Sequence, residues 1–108
     1  MKLGFIGTGK IASSVINGIN NSSINYKKIF VSPRNNKIAK KLKKKIKKLK
    51  ISKNNQEVID KSDWVFLSVT PNVGEKIIGN LKFKSHQTIV SFISTMTVAE
   101  LKKKIKVK

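Results

Sequence analysis

Five short apolar runs, at residues 2–6, 28–32, 49–52, 64–69 and 88–93, alternate with stretches whose apolar residues return every three or four positions. That alternation restricts the fold more than any other feature of the chain. Strands separated by helices cannot be joined by tight hairpins, so they must run parallel through right-handed crossovers. The run WVFLSV at 64–69 shows no in-and-out alternation, the pattern of a strand covered on both faces. The expected fold is therefore α/β, an open parallel sheet with helices on both faces, and together with the glycine fingerprint at 7–12 it is a Rossmann-type doubly wound parallel sheet with strand order 3-2-1-4-5. Ile11, Ala12, Val15, Ile16 and Ile19 mark the first helix, and Ile38, Ala39, Leu42, Ile46 and Leu49 one face of a second, with lysines on its other face. Val73, Ile77, Ile78 and Leu81 give a shorter stripe. Asn54 with Glu57, and Thr97 with Glu100, have the spacing of helix-opening capping pairs, the latter starting a last helix through Leu101 and Ile105. At 108 residues the chain has room for one such domain and no second core.

Composition removes several classes of function. The absence of cysteine excludes disulfide frameworks, thiolate metal sites and cysteine nucleophiles, and a single histidine, His86, argues against zinc. No apolar run approaches the length needed to cross a bilayer, and the first is too short for a signal peptide, so a soluble, cytoplasmic protein without a membrane partner is expected. The net charge of +19 raises nucleic acid as a partner. However, all but one of the basic residues are lysine, and lysine, isoleucine and asparagine fill nearly half of the positions. All three have A- and T-rich codons, so skewed base composition accounts for the charge without selection for binding. Specific nucleic-acid sites rely on arginine forks and exposed aromatics, whereas here there is one arginine, Arg34, and most aromatics lie within apolar runs. No specific nucleic-acid partner is expected; a non-catalytic basic binding module is the alternative from another class.

The segment Gly7-Thr8-Gly9-Lys10-Ile11-Ala12 is a G-x-G-x-x-A fingerprint at the turn from the first strand into the first helix. Gly7 permits the tight turn. Gly9, without a Cβ, lets backbone approach a pyrophosphate at the helix N-terminus, where free N–H groups and the helix dipole favour an anion, and Ala12 keeps helix close to strand. After the second strand, where an NAD-specific protein places an acid for the ribose 2′-hydroxyl, the chain reads Ser32-Pro33-Arg34-Asn35-Asn36. A carboxylate there would repel a 2′-phosphate, whereas Arg34 can grip it with charge-assisted bonds, so NADP is the expected cofactor.

The runs KLGFIGTGKIA, SPRN, Asn55 before Glu57 and Val58, DWVFLSVTPN and IVSFISTMTVAEL together resemble the N-terminal cofactor domain of pyrroline-5-carboxylate reductases, in order and over essentially the whole chain. The resemblance implies hydride transfer from NADPH to the cyclic imine of pyrroline-5-carboxylate, giving proline. It places Gly7, Thr8, Gly9, Lys10 and Ile11 around the pyrophosphate, Ser32, Arg34 and Asn35 at the 2′-phosphate, and Asn55 on the adenosine side. Val69, Thr70 and Pro71 would border the ribose and nicotinamide, with Ser94 and Thr95 near the ring. Lys10, Thr70 and Thr95 depart from the family's commoner Asn, Lys or Arg, and Gly. Family members continue into a helical domain that supplies the substrate pocket and dimer interface. Residues 1–108 are expected to be the cofactor domain without it, inactive alone, with pyrroline-5-carboxylate a partner only when that domain is supplied. Another NADP-linked reductase, including a deazaflavin-linked one, is the alternative within the fold.

No catalytic side chain or metal ligand is assigned. Asp60 and Asp63 flank the entry to a strand, His86 lies in a lysine-flanked polar loop, and Ser68 and Ser91 sit inside apolar runs with no base nearby in sequence.

Overall fold

The continuous apolar residues of the first run build β1 (Lys2–Ile6), buried from Leu3 onwards. The computed structural model describes residues 1–33, 36–93 and 97–107. After β1 come α1 (Lys10–Asn20), β2 (Lys28–Val31), α2 (Asn36–Lys45), β3 (Leu49–Ile51), α3 (Asn55–Lys61), β4 (Trp64–Leu67) and α4 (Pro71–Ile77), which runs into a 3-10 turn at Ile78–Asn80. β5 (Lys82–Phe83), β6 (Thr88–Ser91), α5 (Val98–Lys104) and β7 (Lys106–Val107) complete the described elements. Five strands pair in parallel in the order β3-β2-β1-β4-β6. Because β6 is the fifth run of the sequence, this is the expected 3-2-1-4-5 arrangement.

Successive side chains of a strand point to opposite faces, and the core divides accordingly. Leu3, Phe5, Ile29, Val31 and Phe66 share one cluster with Ala12 and Ile16 of α1 and Ala39 and Leu42 of α2. Ile6, Phe30, Val65 and Leu67 face the other way, onto Val58 and Ile59 of α3, Ile78 and Leu101. Full burial of an aliphatic side chain of this kind contributes about 1.5–3 kcal/mol. α3 rests on β1 at Gly4, where a Cβ would overlap the Ser62 hydroxyl and Val58. Under α1 the aromatic rings form a row, Phe5 on Phe66 with centroids 4.5 Å apart, Phe66 on Phe92 at 6.3 Å and Trp64 on Phe66 at 6.5 Å.

Two caps hold as the sequence expects. Asn54 Oδ1 accepts the Glu57 N–H at 2.8 Å, and Thr97 Oγ1 accepts the Glu100 N–H at 3.1 Å. Each such cap is worth about 1 kcal/mol.

The structure departs from the expectation in several places, among them β2, β3 and β4, which close early at Val31, Ile51 and Leu67. α2 ends at Lys45: the Ile46 N–H still reaches the Leu42 carbonyl at 2.8 Å, but Leu49 pairs with Ile29 in the sheet and takes no part in the helix. The fifth strand closes at Ser91, although the Phe92 N–H still bonds to Leu67. β5 and β7 make a separate two-stranded parallel pair that no periodicity announces. Trp64, in a run expected to be covered on both faces, is 39% exposed because it stands at the mouth of its strand. No helix among the described residues is long and apolar enough to cross a membrane.

Candidate functional site

The three central strands deliver their carboxyl ends to one place, and the glycine turn lies across them. Gly7 has φ of +92°, the left-handed region that side chains avoid, and a Cβ there would lie 2.7 Å from Val69 Cγ1 and 2.8 Å from the Ser68 carbonyl oxygen. Gly9, two residues on, is the opposite case. Its φ is −104°, open to any residue, and a Cβ would meet nothing within 4 Å. The first glycine is demanded by the protein's own packing, and the second keeps a space clear.

That space is a cleft at the carboxyl ends of β1 and β4. One lobe, of ≈ 310 Å³, lies between Gly7, Thr8 and Gly9 on one wall and Ser68, Val69, Thr70 and Val73 on the other. A second, of ≈ 320 Å³, passes Gly9 toward Lys10, Ile11 and Phe92 while sharing Ser68, Val69 and Thr70. α1 opens into the cleft from Gly9 with no side-chain cap and no acidic residue in its first turn. α4, which starts from Thr70 on the other wall, also has no side-chain cap, unlike α3 and α5 elsewhere in the fold. The first-turn N–H groups of α1 thus have no side-chain acceptor and face a gap of ligand size. The helix dipole adds partial positive charge at the same point, an arrangement suited to an anion. A larger groove of ≈ 510 Å³ runs down the flank between α1 and α2 past Lys10, Lys41 and Lys45, away from Ser68 to Thr70.

The family that matches residues 2–97 is described as NADP oxidoreductase, coenzyme F420-dependent. The chain belongs to that family. No curated protein matches it. Among solved structures, it is similar to the 1-pyrroline-5-carboxylate reductase of Streptococcus pyogenes, with 29% identity and a TM-score of 0.80 over 98% of this chain and 39% of that one. It is also similar to the pyrroline carboxylate reductase of Plasmodium falciparum, solved with NADP bound, with 24% identity, a TM-score of 0.79 and coverage of 98% of this chain and 38% of that one. At that identity the second likeness concerns the fold. The chain spans about two fifths of the length of both.

In this NADP oxidoreductase domain the residues expected at a cofactor are distributed unevenly. Gly7, Thr8, Gly9, Lys10 and Ile11 line the cleft together with Val69 and Thr70, and Pro71 is the first residue of α4 at its edge. Asn55 is the half-buried first residue of α3, beyond β3 and outside the cleft wall. Arg34 and Asn35, and Ser94 and Thr95, lie outside the described residues. Ser32, expected at a 2′-phosphate, is 0% exposed, and its Oγ accepts the Gly7 N–H at 2.9 Å. Burial and this bond turn the hydroxyl toward the glycine turn.

Three further residues wall the cleft without a site role in the sequence pattern. Ser68 shares its single Oγ–H between the carbonyls of Ile6 at 3.1 Å and Gly7 at 3.2 Å. Its signal was the one polar residue interrupting the apolar run WVFLSV. Val73 and Phe92 complete the walls, and both were legible only as core. Asp63 accepts the Lys2 N–H at 2.9 Å and Asp60 bonds Gln56 at 3.0 Å. Asp63 and the exposed His86 precede β4 and β6, at the end of the sheet remote from the cleft.

Proposed function

We propose that this chain is the NADP-binding domain of a reductase resembling pyrroline-5-carboxylate reductase. The observation that carries the reading is the contrast at the turn: Gly7 is closed in by Val69 and Ser68, whereas Gly9 faces open space at the uncapped start of α1. A dinucleotide pyrophosphate fits that cradle, because it needs N–H donors, positive potential and a backbone without a Cβ in the way. Gly7, Thr8, Gly9, Lys10 and Ile11 would hold it, with Arg34 and Asn35 at the 2′-phosphate and Asn55 toward the adenosine. Val69, Thr70 and Pro71 would border the ribose and nicotinamide, with Ser94 and Thr95 near the ring. When bound, the cofactor supplies the hydride that a cyclic imine such as pyrroline-5-carboxylate would accept to give proline. The chain's own part is binding, orientation and exclusion of water from one side of the nicotinamide.

The 29% identity to the streptococcal enzyme supports the imine as substrate. The family's description supports a second reading, hydride exchange between NADP and a deazaflavin coenzyme. In either case the substrate side is proposed to come from polypeptide outside these 108 residues, which matches the share of the related chains that the domain spans. Fluorescence titration with NADPH and NADH tests the cofactor, with tighter binding of NADPH expected and no binding of either overturning the proposal. NADPH oxidation, measured with pyrroline-5-carboxylate or with oxidised deazaflavin after a helical domain is added, decides between the two substrates.

A further inference from the structure

β2 and β4 flank β1, and the residue that follows each of them is a serine that reaches the glycine turn. From the β2 side, Ser32 Oγ accepts the Gly7 N–H at 2.9 Å. The Thr8 hydroxyl donates to the Ser32 carbonyl at 2.9 Å and lies 3.3 Å from Ser32 Oγ. From the β4 side, Ser68 Oγ donates to the Ile6 and Gly7 carbonyls. Gly7 is therefore held by its N–H on one side and its C=O on the other, at the position where its backbone is least able to relax.

Bonding and burial together decide what Ser32 can still do. A hydroxyl has one hydrogen to donate. That of Thr8 goes to the Ser32 carbonyl, which can only accept, so Thr8 Oγ1, 3.3 Å away, stands as an acceptor within reach of the Ser32 hydrogen. Gly7 N–H to Ser32 Oγ and Thr8 Oγ1–H to the Ser32 carbonyl thus lie side by side, joined by the 3.3 Å contact between the two hydroxyls. Ser32 and Thr8 are 0% and 2% exposed, so water does not compete for these groups. A phosphate oxygen needs a donor it can reach, and the Ser32 hydroxyl, 0% exposed and turned to the glycine turn, presents none to the outside.

We infer that Ser32 is a positioning residue: with Thr8, it fixes the turn that presents the N–H groups of α1 to the cofactor, and it makes no contact with the 2′-phosphate. This rests on the NADP reading above. A residue that holds the turn serves every dinucleotide equally, since NADH and NADPH share the pyrophosphate and differ only at the 2′ position.

The test is titration of Ser32→Ala with NADPH and NADH, at a temperature where thermal denaturation shows the variant fully folded. Both affinities should fall by about tenfold, the loss expected for one buried hydrogen bond, with the ratio between them as in the unaltered protein. A selective loss of NADPH affinity, or no loss of either, overturns the inference. Should Ser32→Ala not fold, Thr8→Val replaces it: valine should weaken both nucleotides equally, and a selective loss of NADPH or indifference to valine overturns the inference. Amide exchange of Gly7 without cofactor gives a separate readout. It should be slow in the unaltered protein and faster in Ser32→Ala or Thr8→Val, and fast exchange in the unaltered protein would refute the bond itself. If the unaltered protein binds neither nucleotide while Gly7 is protected, the NADP reading fails and the clasp stands.

Discussion

Substituting alanine at Gly7 and at Gly9 separates what the fold needs from what a ligand needs, although the two positions look equivalent in the fingerprint. At Gly7 the left-handed backbone costs an L-residue about 1–2 kcal/mol. The new Cβ also falls 2.7 Å from Val69 Cγ1 and 2.8 Å from the Ser68 carbonyl oxygen. One neighbour is backbone held in the sheet, so relief requires a main-chain shift of the kind that makes overpacking cost about 1–3 kcal/mol more. The sum, about 2–5 kcal/mol, lowers the melting temperature of a domain this size by roughly 10–30 °C. At Gly9 neither term applies, because φ is −104° and nothing lies within 4 Å. Gly9→Ala should stay within about 0.5 kcal/mol of the unaltered protein, the range of surface substitutions. Its methyl group instead occupies the cradle. Losing two charge-assisted N–H contacts to a pyrophosphate costs about 3 kcal/mol or more, a reduction in NADPH affinity of roughly a hundredfold. Thermal denaturation followed by fluorescence titration measures both effects. A Gly9→Ala protein that binds NADPH as tightly as before, or a Gly7→Ala protein as stable as before, would refute the division of labour between the glycines.

Arg34→Ala should lose about 1–3 kcal/mol of NADPH affinity and almost none for NADH, and equal losses in paired titrations would remove Arg34 from the 2′-phosphate. The 108-residue chain should bind NADPH but oxidise it negligibly with pyrroline-5-carboxylate, whereas a polypeptide that adds a helical domain should turn over; robust activity of the chain alone would place a substrate site within it. The lysines of α2 are exposed, so binding to DNA or RNA should be sequence-independent and fall steeply as salt displaces it; selective binding at physiological salt would favour the basic-module reading.

The fold was legible because a parallel sheet needs uninterrupted apolar strands, and runs such as WVFLSV and TIVSFI have little other use. The order of the five strands came with the Rossmann reading of the glycine fingerprint, since crossover handedness alone also permits 2-1-3-4-5. The misread parts are those where local pattern and tertiary demand diverge. Leu49 carries two patterns at once, the end of the α2 stripe and the start of the third apolar run, and its pairing opposite Ile29 bears out the strand and not the helix. β5 and β7 have two residues each, too few to show any period. At the site, the glycine turn was readable because phosphate binding fixes the types and spacing of residues, whereas Val69 and Thr70 were reached only through the family resemblance. The burial of Ser32 was not, since Ser-Pro-Arg-Asn has the composition of an exposed polar turn. Only the neighbouring strand reveals that the hydroxyl points inward.

Trp64 is the chain's one tryptophan, and it stands at the opposite end of β4 from Ser68. Four residues of extended strand separate it from the cleft wall by about 13 Å. The ring is 39% exposed and stacked on Phe66, so unfolding moves it from an aromatic neighbour into water and shifts its emission. Reduced nicotinamide absorbs in the band where tryptophan emits, and a separation of that order permits resonance energy transfer. The protein thus carries a built-in optical ruler: a single tryptophan, selectively excited at wavelengths where tyrosine does not absorb and placed outside the cleft, whose emission wavelength reports folding and whose quenching reports occupancy.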